Sequence, residues 1–114
     1  MSAVVERICE LPRTFHDGGG SPISIVQASG YLERAEELTR TAVVGYLRDH
    51  PELIEAWEGW SDVQRSSSAW VFNNDGPRPR VWHFPTGPQM VFDDPAEACA
   101  EFILRHVEHF KTYK

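Results

Sequence analysis

The sequence predicts an α+β fold: a small, mainly antiparallel sheet of three to five strands, formed as a C-terminal meander, packed against two or three helices and closed by a long last helix. Three observations lead to it. Apolar residues recur at helical spacing through residues 29–60. From residue 68 to 92 the period changes from 3.6 to 2, in the runs "SAWVFN", "RVWHF" and "QMVF", separated by the turn-forming "NDGPRP" and "PTGP". The segment "DPAEACAEFILRHVEHFK" then opens with Asp94 as N-cap, Pro95 at the first helical position and Glu97 three residues after the cap.

The first stretch "AVVERICEL" alternates imperfectly, in the sets Val4, Glu6, Ile8 and Val5, Arg7, Cys9, which favours a strand over a helix. "FHDGGGSP" follows. Three consecutive glycines carry high backbone entropy and no side chain to pack, so a mobile loop is expected at about residues 16–22 of a single domain spanning 1–114. "ISIVQ" fits either a short strand or the start of a helix. From Ser29 to Asp49 one continuous helix is expected, with Tyr31, Leu32, Ala35, Leu38, Ala42, Val43, Tyr46 and Leu47 on its apolar side and Glu36 placed to pair with Arg40 at i, i+4. Pro51 starts a further helix whose stripe holds Leu53, Trp57 and Trp60, so these two tryptophans are expected in the core. The last helix carries Ala96, Cys99, Phe102, Ile103, His106, Val107 and Phe110 on one side.

Bulk properties narrow the function classes. The 114 residues, 41% hydrophobic and 11% aromatic, suffice for one core without a metal or disulfide staple. Seventeen acidic against eleven basic residues leave a net charge of −6, which repels a phosphate backbone and favours a basic partner at long range. Nucleic acid is therefore not an expected ligand. Glu6 and Glu10 interrupt any apolar run near the start, and no stretch reaches the ~20 apolar residues of a membrane span. A soluble, cytoplasmic protein without membrane association is expected. Cys9 and Cys99 form no CxxC and read as two reduced thiols.

The meander carries the functional expectation. Alternation along the chain assigns Trp70, Phe72, Trp82, Phe84, Met90 and Phe92 to one face and Ala69, Val71, Val81, His83, Gln89 and Val91 to the other. The second set is apolar at four of six positions, whereas a solvated face would be polar there, so a cover is expected. Either a helix of the same chain or a partner chain supplies it.

Chemistry is weakly encoded. His83 lies between two aromatics and His106 within an apolar stripe; HxxH at 106 and 109 lacks the carboxylate and the i, i+4 spacing of a zinc site. The glycines of "HDGGGS" are not followed by a GxSxG elbow or by the GKS/GKT of a phosphate loop. In "SDVQRSSS", Arg65 with the serine hydroxyls and Trp70 could hold a planar anion. No catalytic residue, metal or cofactor is assigned. The leading expectation is a non-enzymatic, acidic protein-binding module, either a homodimer, an adaptor or an immunity-type partner of a basic protein. Its partner-binding residues are Arg65, Trp70, Val71, Val81, His83 and Val91. The alternative is a small-ligand-binding or hydrolytic domain with a pocket between sheet and helices, using His83 and Arg65.

Overall fold

The computed structural model describes residues 3–63, 70–74, 78–83 and 87–109. Where a strand was expected first, the chain opens with a helix, α1 (Ala3–Cys9). Its buried residues are Val4, Val5, Ile8 and Cys9, an i, i+1, i+4, i+5 set that lies along one helix face. Tertiary burial of that face outweighs the β-preference of Val and Ile.

A second helix, α2 (Leu11–His16), follows at once. The glycine run closes it: Gly18 adopts φ +84°, its N–H donates to the Phe15 carbonyl at 3.1 Å, and the Gly19 N–H donates to the Thr14 carbonyl at 2.8 Å. The loop expected at about residues 16–22 lies at 17–21, between α2 and the start of α3 (Pro22–Ala28), where the Ser21 hydroxyl accepts the Ser24 N–H at 3.2 Å. "ISIVQ" belongs to that helix.

The single helix expected over residues 29–49 is broken. Gly30 takes φ +85°, which terminates α3. Turns and one 3₁₀ turn (Ala35–Glu37) carry the chain to Thr39, whose hydroxyl caps α4 (Arg40–Asp49) through the Ala42 N–H at 3.2 Å. Tyr31 and Leu38 are still buried, but Leu32 is exposed. With Glu36 in the 3₁₀ turn, the expected pairing to Arg40 gives way to an ion pair between Arg40 and Glu101.

The next helix, α5 (Glu52–Val63), buries Leu53, Trp57 and Trp60 as expected. The Trp57 indole N–H donates to the Cys9 carbonyl at 2.8 Å, and the Trp60 N–H donates to His106 Nε2 at 3.0 Å. Both rings are thereby tied to other helices, which satisfies the polar end of a large apolar side chain.

The meander forms as expected: β1 (Trp70–Asn73), β2 (Arg80–His83) and β3 (Met90–Val91), antiparallel in the order β1-β2-β3. Its faces differ from the expected ones. Trp70 pairs with His83, Val71 with Trp82, Phe72 with Val81, Arg80 with Val91 and Val81 with Met90. Directly opposed residues share a face, so Trp70, Phe72, Val81, His83 and Met90 form the inner face, while Val71, Asn73, Arg80, Trp82 and Val91 form the outer one. Val81 and His83, expected with Val71, lie on the inner face, and Trp82 lies on the outer one, because the connection between β1 and β2 sets which parity on β2 faces Phe72. Ala69 and Phe84, assigned to faces from the sequence, lie outside the described residues.

The last helix, α6 (Pro95–His109), supports the inner face, with Phe102 stacked on Phe72 at 6.1 Å and on His106 at 5.3 Å. Its expected N-cap forms: Asp94 Oδ1 accepts the Ala96 N–H at 3.0 Å, and Oδ2 accepts from Arg48 Nη2 at 2.5 Å. Phe110, assigned to the stripe of this helix, lies outside the described residues. The Arg48 hydrogen bond, more than the Ala96 N–H, holds the Asp94 carboxyl below the usual carboxylate range. A depressed folded-state value stabilises the fold above the ordinary carboxylate range, and the contribution is lost as pH falls through the folded value. Asp94→Asn, which retains a capping side chain, should therefore make the melting temperature less sensitive to acidification, as read from thermal melts across an acidic pH series.

Candidate interaction face

Among the described residues, α6 packs on the inner side of the sheet and α5 runs along its β1 edge. On the inner side, Phe72 and Val81 are completely buried. Val81, expected among the partner-binding residues, is therefore a core residue. At the β1 edge, Ser61 of α5 accepts the Phe72 N–H at 2.9 Å, and Glu58 Oε2 accepts the Asn74 N–H at 2.6 Å. Ser61 thereby satisfies an outward donor of an edge strand.

The outer face has no described helix over it. Val71 and Trp82 are half-buried, and Val91 is 54% exposed. Arg80 lies among them with its guanidinium carbon 5.7 Å from the centre of the Trp82 ring, a cation–π arrangement. Arg78, just before β2, pairs with Asp93 at 3.5 Å in an exposed contact. The face thus joins three apolar side chains to a guanidinium on a chain that is acidic elsewhere. Val71 and Val91 fall on it as expected; Trp82 was missed, since alternation along the chain placed it on the other side.

Trp70 and His83 form a separate group at the inner rim. Their rings meet edge-on at 5.1 Å, and the Arg105 guanidinium lies 5.2 Å from the Trp70 ring. Arg105 Nε also donates to Glu101 Oε2 at 2.6 Å, and Glu101 pairs with Arg40 as well. Glu101 is only 5% exposed, while both arginines reach solvent. One buried carboxylate therefore anchors two guanidinium groups in front of the sheet, a constellation that sequence spacing could not show because Arg40 and Glu101 lie on different helices. Arg65, expected to join Trp70, lies outside the described residues. His83 is exposed, and among the described residues its ring meets Trp70 and has no hydrogen-bonded partner of the kind that orients a catalytic base.

The other titratable groups are arranged for stability. Burial pushes the Cys9 thiol up to about 12, with a smaller contribution from Glu10, and burial raises Cys99 as well. Both thiols are thus held in the unreactive, protonated form. Tyr46 donates to Glu10 Oε2 at 2.5 Å and stacks on His50 at 4.2 Å. Burial, and then the Glu10 carboxylate, raise the Tyr46 phenol, which keeps it a hydrogen-bond donor. Among the described residues, no group of three His, Cys, Asp or Glu side chains is placed to hold a metal ion. No described helix is long and apolar enough to cross a membrane.

No protein-family model, curated protein or solved structure matches the chain.

Proposed function

We propose that the protein is a non-enzymatic binding module that holds a segment of a different protein against the outer face of its sheet. The observation that carries this is the placement of half-buried Val71 and Trp82 and exposed Val91 in one patch with Arg80, on the side of the sheet opposite α6. Apolar residues gathered on one face beside a guanidinium are the composition expected of an interface centre.

The size of the patch decides what kind of partner fits. Three strands of about four residues, spaced about 4.8 Å apart with a rise of about 3.3 Å, present roughly 200 Å² in plan. A stable dimer buries about 800 Å² on each partner. The patch therefore suits a short segment of another chain better than a second copy. Long-range steering by the net charge of −6 favours a partner that is basic overall, while Arg80 favours a carboxylate within the docked segment.

The test is light scattering over a concentration series, followed by tagged capture from cell extract with wild type and Trp82→Asp side by side. The protein should remain a monomer, retain a partner, and lose it on Trp82→Asp with a melting temperature within a few degrees of wild type. A concentration-dependent dimer that Trp82→Asp dissolves would replace this reading with self-association. Identical retention by wild type and variant would end it.

A further inference from the structure

The partner segment, we infer, joins the sheet as a fourth strand along β3; this inference rests on the outer-face reading and specifies how that face is used. The directions of the backbone hydrogen bonds point to this. In an antiparallel pair, residues alternate between exchanging hydrogen bonds with their opposite and directing them away. The Phe92 N–H donates to the Pro79 carbonyl at 3.0 Å, so residues 92 and 90 face β2 and Val91 directs its N–H and C=O outward. By the same alternation Phe72 and Asn74 point outward from β1, where α5 takes up both N–H groups.

The two edges of one sheet are thus treated differently. At β1, Ser61 and Glu58 saturate the outward donors. At β3, no hydrogen bond reaches the outward groups of Val91 from any described residue, and its side chain is the most exposed apolar one in the sheet. An unpaired edge is a template for another strand, and proteins that do not use such an edge cover or charge it. Here Pro88 and Asp93 flank the edge and leave a short open window between them, so it accepts one local segment and does not propagate a sheet.

The side chains define the segment's chemistry. A strand added beside β3 places alternate residues on the outer face, next to Val91 and on the same surface as Trp82 and Arg80. Those positions call for an apolar side chain against Val91 and a carboxylate long enough to reach the Arg80 guanidinium across it. The occupant is therefore an extended protein segment with apolar and acidic residues on one side.

Selection from a displayed library of random peptides provides the probe. Enriched peptides should show period-two apolar patterning with acidic residues. An enriched peptide should then bind Val91→Pro roughly tenfold or more weakly, because proline removes the outward donor while leaving the bonds of Met90 and Phe92 to β2 in place. Val91→Ala, which keeps the N–H, should lose less. Trp82→Ala should also weaken binding. If Val91→Pro binds as wild type while Trp82→Ala does not, the added strand is wrong and the outer-face reading stands. Enrichment of peptides with helical spacing also overturns the added strand. No enrichment over an unrelated protein, or binding unaffected by either substitution, removes both. Should Val91→Pro not fold, N-methylation of alternate backbone nitrogens in the peptide tests the same hydrogen bonds from the other side, and unchanged affinity on every one overturns the strand mode.

Discussion

Trp57→Ala should lower the unfolding free energy by about 3–5 kcal/mol, the range for deleting a fully buried tryptophan. For a domain whose total stability is of order 5–15 kcal/mol, that is a large share, and the melting temperature should drop by roughly 10–20 °C. The position explains the size. Trp57 is fully buried, meets Trp60, Phe102 and His106 edge-on at 6.4, 5.9 and 6.2 Å, and donates its N–H to the Cys9 carbonyl at 2.8 Å. Its removal opens a cavity between α1, α5 and α6 and also leaves a buried carbonyl without that donor. Trp57→Phe separates the two terms. It keeps most of the ring and should cost about 1–2 kcal/mol, chiefly for the hydrogen bond. Chemical denaturation of both variants measures the difference, and near-equal losses would mean that the cavity contributes little.

His106→Leu carries the second largest expected effect, about 2–3 kcal/mol. The indole N–H of Trp60 can only donate, so the 3.0 Å contact assigns His106 Nε2 as acceptor and puts the neutral ring's proton on Nδ1. Leucine fills similar space but leaves that N–H in an apolar environment with its acceptor removed. The cost is therefore conditional on Trp60 having a donor. In the Trp60→Phe background the same His106→Leu change should cost at least about 1 kcal/mol less, which a double-mutant cycle by urea denaturation reads directly. Additive losses would show that His106 stabilises the helix pair by its ring contacts with Phe102 and Trp57 and not through this bond.

Much of the architecture was legible, for identifiable reasons. Asp94 and Pro95 start α6 because a capping side chain and a proline without an N–H both suit the first turn, and those are properties of adjacent residues. Trp57 and Trp60 fell in one stripe, and the stripe is buried. The meander followed from turn chemistry and β-branched runs. Misreadings arose where local preference and tertiary context disagree. Val4, Val5 and Ile8 favour strands, yet their i, i+4 spacing already matched a helix face, and packing against α4 decided for it. The apolar spacing over residues 29–49 predicts one helix, whereas the positive φ of Gly30 ends α3 and the next α-helix begins only at Arg40.

The candidate face shows the same division more sharply. Val71 and Val91 were legible as apolar residues in need of cover, but Val81 and His83 were assigned to the outer face and Trp82 to the inner one, the reverse of the observed register. Alternation within a strand is a local property, since successive side chains of any strand point to opposite sides. Which residues of two strands share a side is not local, because it depends on the register that the loop and the packing of Phe72 on Phe102 impose. The amino-acid order by itself therefore determined the helices with strong caps, the meander and the tryptophan-rich core, all set by interactions within a few residues. The tertiary structure alone decided the break at Gly30, the anchoring of Arg40 and Arg105 by Glu101, the sealing of β1 by Ser61 and Glu58, and an edge at Val91 that no described residue pairs. Each depends on which distant segments meet, and that is settled by burying the largest apolar area at once and not by the preference of any single stretch.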